Sequence, residues 1–222
     1  MALVGSPKWF YDKSQTAEEI EFGKIIEERR ERFIDRFSPE RLSYMDGNEL
    51  LESVFGDDPL SLMQLLMFDQ TYRSFGATGY YKYNGIVYHD KKNNWNFKGG
   101  ANSEKIDINE ATVKAVYIRD QLLSCIEEIE KIGEFSTIHD YQKLQDHIEK
   151  VFFYRYAWTL KYYQMIFPQY FPGMYADKTL NRAIHILGLP SHGNTNRLLN
   201  AGEISLFIRQ CNVNNIVFGD IY

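Results

Sequence analysis

The stretch that most constrains this chain is VFFYRYAWTLKYYQMIFP, Val151 to Pro168. Helical spacing places Phe153, Tyr156, Ala157, Leu160 and Phe167 on one face. Tyr154, Trp158, Lys161 and Tyr162 fall on another. A helix with apolar matter on two faces cannot lie on a surface, so other elements must surround it. It is read as the central helix.

The elements available to surround it are mostly helical. Thr16-Ala17-Glu18-Glu19 is a capping-box pattern, and Ile20, Ile26, Phe33 and Phe37 follow along a long helix whose other faces carry EERRER, a solvated mixture of charges. Ser38-Pro39 opens a short helix that Asp46-Gly47 interrupts, and Asp58-Pro59 opens an apolar, buried one. From an expected N-cap at Asn109, residues Ala111, Ala115, Ile118, Leu122, Cys125, Ile126, Ile129 and Ile132 recur at steps of three and four. A helix is expected from Tyr141 to Glu149. Another, ADKTLNRAIHILG, closes on Gly188 and Pro190, and a last one is expected from NTNRLLNAGEISLFIRQC.

One segment breaks the helical period. Tyr80 to Tyr83 and Ile86 to His89 flank Asn84-Gly85, a pair that tolerates positive φ and favours a tight hairpin, and Trp95 to Phe97 offers a third strand. The fold class is therefore α+β and predominantly helical: a compact helical domain with a small antiparallel hairpin or three-stranded sheet near residues 80–98. Residues 1–222 are expected to form a single domain, with 1–14 disordered or vector-derived, a hairpin section at 72–100 and a helical section at 109–211. No apolar run is long enough to span a bilayer, and the start lacks a signal-peptide pattern, so a cytoplasmic protein with no membrane partner is expected. Cys125 and Cys211 sit in apolar patterns and suit a reducing compartment.

Catalytic motifs are largely missing. Gly23-Lys24-Ile25 lacks the upstream glycine and the hydroxyl of a phosphate-binding loop, and no G-x-S-x-G, H-E-x-x-H or C-x-x-C occurs. The five histidines include no pair at helical spacing. One fragment has nuclease character: Asp90-Lys91-Lys92, with Asp69 as an upstream acid, has the D-x-K form that holds a divalent ion and assists an attacking water. The expectation is a chain that carries no catalysis and no cofactor of its own.

The net charge of −5 gives no global attraction for phosphates, so nucleic-acid contact needs a local patch. Between Tyr72 and Lys98 five cations face Asp90 alone, among eight aromatics. Lys82, Lys91, Lys92 and Lys98 are candidates for phosphate contact, and Tyr81, Tyr83, Tyr88 and Trp95 for base stacking or a modified-base pocket. Core filling by the aromatics and edge protection by the lysines would produce the same pattern. On the helix at 176–188, Lys178, Asn181, Arg182 and His185 share one face opposite Leu180, Ile184 and Leu187. A recognition helix has this form, and so does an ordinary surface helix.

The block AWTLKYYQMIFPQYFPGMYADKTLNRAIHILGLP resembles the N-terminal regions of McrB-like AAA+ proteins of restriction and anti-phage defence. Trp158, Lys161, Tyr162, Phe167, Pro168 and Leu187 to Pro190 carry the likeness. YYKYNG, WNFKGG and ATVKAVYIRDQL are similar to those regions too, so the resemblance covers roughly Tyr72 to Tyr222. It implies a DNA-recognition module that normally precedes an AAA+ motor in cis, with a separate nuclease subunit in trans. Some relatives read modified cytosine, but such domains vary in fold and that specificity does not carry over. Leu160 stands where the family pattern often has histidine. The resemblance adds Lys161 and Tyr162 as weaker DNA-contact candidates, and the final NNIVFGDIY reads as a domain border or a docking strand. The alternative from another class is a helical scaffold for a protein partner, its hairpin forming the contact.

Overall fold

The computed structural model describes residues 6–69, 71–72, 86–90, 94–98, 102–151, 157–193 and 196–213. In chain order these form α1 (Pro7–Ser14), α2 (Ala17–Phe37), α3 (Pro39–Tyr44), α4 (Gly47–Leu50) and a π-helical turn (Leu51–Phe55), then α5 (Leu62–Met67). Three strands follow, β1 (Ile86–His89), β2 (Trp95–Lys98) and β3 (Glu104–Lys105). The chain continues through α6 (Ile108–Ile132), α7 (Ile138–Ile148), α8 (Ala157–Ile166), α9 (Asp177–Leu187) and α10 (Arg197–Cys211).

Short polar side chains set the helix starts. The hydroxyl of Thr16 accepts from the backbone N–H of Glu19 at the head of α2. Ser38 serves two helices, since its N–H closes α2 on the carbonyl of Ile34 and its hydroxyl accepts from Arg41 N in α3. Asp107, not Asn109, caps α6, because its carboxylate takes the N–H of Glu110. The expected start of α5 at Pro59 also moves. Asp58 accepts from the N–H groups of Leu60 and Ser61, which holds residues 58–61 in a turn and delays the helix to Leu62. Residues 7–14, expected to be disordered or vector-derived, form α1 and bury Phe10.

The sheet has the order β1-β2-β3, antiparallel throughout, with Ile86 opposite Lys98 and His89 opposite Trp95. The loop between β1 and β2 is closed by Asp90 N–H on the carbonyl of Asn94, and the Asp90 carboxylate accepts from Asn94 N and Nδ2. The expected arm at Tyr80 to Tyr83 and the turn at Asn84-Gly85 lie outside the described residues. Ile86 and Val87 point to opposite faces yet are both buried, so the start of β1 is covered on both sides.

Of the central helix expected over 151–168, residues 152–156 lie outside the described residues and α8 forms the part from Ala157, with every residue from Trp158 to Met165 buried. Around it a main core takes in α2 to α8 and the sheet, while a second cluster joins Phe10 of α1, Leu180, Ala183 and Ile184 of α9, and Ala201, Ile204, Phe207 and Ile208 of α10. Three polar ties fix α8 to its neighbours. Lys161 Nζ donates to the carbonyl of Leu66 at 2.9 Å, Tyr162 OH to that of Phe37 at 2.8 Å, and Arg30 of α2 to that of Met165 at 3.2 Å. Leu66 and Phe37 lie in the last turns of α5 and α2, where carbonyls have run out of helical N–H partners. Among the described residues no helix is long and apolar enough to cross a membrane.

Helix α10 meets α7 at Gly202. A Cβ there would sit 2.5 Å from Cγ of the fully buried Tyr141 ring, whose hydroxyl is tied to the carbonyl of Tyr170. Gly202→Ala gains about 1 kcal/mol of helix propensity, but the clash costs roughly 1–3 kcal/mol or more. We expect a net loss of stability, read as a lower urea midpoint with an unchanged m-value.

Candidate nucleic-acid interface

The structure sorts the candidate residues by access to solvent. Tyr81, Lys82, Tyr83, Lys91 and Lys92 lie outside the described residues. Lys98 ends β2 half-buried, and Tyr88 is half-buried with its hydroxyl 2.6 Å from that of Ser103. Trp95 does not offer a stacking platform here. It is 7% exposed, and its ring lies on that of His89 with centroids 3.7 Å apart.

Lys161 and Tyr162 are likewise withdrawn from any phosphate by the structure. They are 2% and 0% exposed, and their polar atoms are committed to the carbonyls of Leu66 and Phe37. Burial lowers the Lys161 ammonium to about 7, with the negative charge of Asp69 opposing part of that shift. Burial pushes the Tyr162 phenol far up. Trp158 is buried beside them. The residues that carry the family resemblance in α8 therefore build the core.

Helix α9 is the candidate element with its polar face in solvent. Lys178, Arg182 and His185 are exposed at successive turns of one face, and Leu180, Ala183 and Ile184 are buried on the other. Asn181 is half-buried, its amide oxygen accepting from Asn200 Nδ2 of α10 at 3.2 Å.

Contacts that the sequence did not reveal join this helix and the segment after it to α10. Arg197 grips both carboxylate oxygens of Asp177 at 2.7 Å, a fork that also offsets the acid beside Lys178. Asn200, 2% exposed, donates to Asn181 and to the carbonyl of Gly193, and its amide oxygen accepts from His192 N. His192 Nε2 lies 2.8 Å from Glu203 Oε1. The partners are 7 to 20 residues apart in sequence, beyond the reach of local pattern reading.

The acids of the nuclease alternative are engaged locally. The Asp90 carboxylate binds Asn94, and Asp69 Oδ1 accepts from the N–H groups of Thr71 and Tyr72. Among the described residues no group of three His, Cys, Asp or Glu is placed to hold a metal ion. Ser124 Oγ, His147 Nε2 and Glu128 Oε2 come together at 3.1 and 3.8 Å in the order of a hydrolytic triad. Ser124 lies in the middle of α6, whose backbone N–H groups are used in the helix ladder and cannot serve an oxyanion. The contact is a tether between α6 and α7.

No protein-family model matches the chain, and neither comparison with curated proteins nor comparison with solved structures found a match.

The buried lysine makes a pH signature. Unfolded, Lys161 keeps its proton up to about 10.5; folded, it gives the proton up near 7. Unfolding therefore takes up a proton between these values. This contribution to stability is full above 10.5 and is lost as the pH falls to 7, with a slope of at most about 1.4 kcal/mol per pH unit. The thiols of Cys125 and Cys211, both raised to about 11 by burial, act in the opposite sense above their ordinary value of 9. We expect the urea midpoint to rise between pH 7 and 9 in the native sequence and to stay level in Lys161→Met.

Proposed function

We propose that this chain is a DNA-binding target-recognition domain of the McrB-like kind, non-catalytic itself. In that arrangement an AAA+ motor acts in cis and a nuclease subunit in trans. The observation that carries the reading is the cationic face of α9, because it lies in the block that bears the resemblance and its side chains are in solvent. Helix α10 supplies its support, and Lys178, Arg182 and His185 its contacts.

The geometry suits a duplex. Eleven residues make α9 about 16 Å long, and a helix fits a major groove about 12 Å wide. Lysine and arginine one turn apart can each neutralise a phosphate and release a counterion. The chain's overall charge of −5 opposes DNA at long range, so binding depends on this local face and weakens steeply with salt.

In fluorescence anisotropy with a labelled duplex, Lys178→Glu with Arg182→Glu should weaken binding at least about tenfold at low salt. The slope of log K against log salt should fall by about two, near one per lost phosphate contact. Thermal unfolding should be unchanged, since both side chains are exposed. If the native chain binds neither duplex nor single-stranded DNA at low salt, with or without methylated or hydroxymethylated cytosine, the reading fails. Retention of a protein partner in that case favours a scaffold.

A further inference from the structure

We propose that Arg29, Arg32 and Arg36 of α2, with Tyr72 beside them, form a second ridge for the phosphates of a nucleic-acid backbone. This rests on the DNA-binding reading above and extends it to a surface that the sequence presents only as the mixed run EERRER.

Folding separates those charges. At about 100° per residue, Arg29, Arg32 and Arg36 share an arc of roughly 60°, and Glu28, Glu31 and Asp35 occupy the neighbouring arc. The arginine arc borders the core side of α2, where Phe33 is buried, and the acids lie farther out. The mixture is a basic stripe beside an acidic one.

The basic stripe faces the chain that leaves α5. Arg29 donates to the carbonyl of Thr71 at 3.2 Å, Tyr72 OH donates to the carbonyl of Arg29 at 3.4 Å, and the Tyr72 ring packs 5.8 Å from that of Phe33. Burial and the charge of Asp69 raise the half-buried Tyr72 phenol, and the positive charges of Arg32, Arg36 and Arg29 oppose that shift. Arg32 and Arg36 are exposed. The 3.9 Å pair of Arg32 with Glu28, both 70% exposed, contributes little in water.

Three guanidinium groups spread over about 10 Å of helix match a run of phosphates along one strand better than a single small anion. Each can grip a phosphate in bidentate fashion. Tyr72 also opens the sequence segment to Lys98 that is rich in lysines and aromatics, so the ridge adjoins the start of the segment first singled out for nucleic-acid contact.

The test is anisotropy on the full chain with a fluorescein-labelled 20-mer, duplex and single-stranded, comparing Arg32→Glu with Arg36→Glu and the milder Arg32→Gln with Arg36→Gln. Arg29 is left in place because it ties Thr71. The Glu pair should lose about tenfold or more in affinity, the Gln pair several-fold, and the salt slope should fall by about two in both. Should the Glu pair fail to fold, the Gln pair decides. Native-like affinity and slope in the variants overturn the ridge and leave the α9 reading standing. Absence of DNA binding by the native chain overturns both. Equal displacement of the DNA by polyglutamate of matched charge also overturns the ridge, because phosphate is then not what it recognises.

Discussion

The ammonium group of Lys161 sits where water does not reach, and it donates to a carbonyl at the end of another helix. Burying a cation is costly unless a dipole or charge meets it. Here the C-terminal turn of α5 presents a carbonyl with the negative end of the helix dipole behind it, and Asp69 lies near enough to be felt. The next residue, Tyr162, donates its hydroxyl to the last carbonyl of α2. α8 thus fixes where α2 and α5 end, and the Arg30 contact to Met165 returns the tie from the other side. Just beyond α5, Tyr72 donates to the carbonyl of Arg29 and packs on Phe33 of α2.

Charge is handled differently at the surface. An acidic chain can still hold a polyanion if its cations gather on particular faces, because fields in physiological salt fade within about 8–10 Å. On α9 this gathering needs help from α10, where the Arg197 fork offsets Asp177 and the Asn200 network holds the helix and the turn at Gly193 together. On α2 it comes from helical geometry alone, which turns an interleaved sequence into two stripes.

The helices were legible wherever apolar residues recurred at three- and four-residue steps, as from Ala111 to Ile129, all of which are buried as that spacing requires. Starts were less so. Asp107 and Asn109 both look like caps in one dimension, and only the carboxylate contact to Glu110 N separates them. Trp95 and Lys161 show the harder failure. Tryptophan in a lysine-rich run and lysine in an aromatic run both suggest a ligand, yet one ring covers His89 and the other side chain ends on Leu66. Side-chain type gives the capacity for stacking or ion pairing, and long-range packing chooses the partner.

By itself the sequence determined that the chain is mostly helical, that a helix within 151–168 is enclosed, that a small sheet interrupts the helices, and that α9 has one apolar and one cationic face. These follow from periods of 3.6 and 2 and from turn chemistry, which act over a few residues. Only the tertiary structure decided that Lys161 and Tyr162 are ties within the core, that Arg197 and Asn200 hold α9, and that Arg29 of α2 meets Thr71 and Tyr72. Those outcomes depend on contacts between residues from 19 to 125 positions apart, which no local pattern encodes.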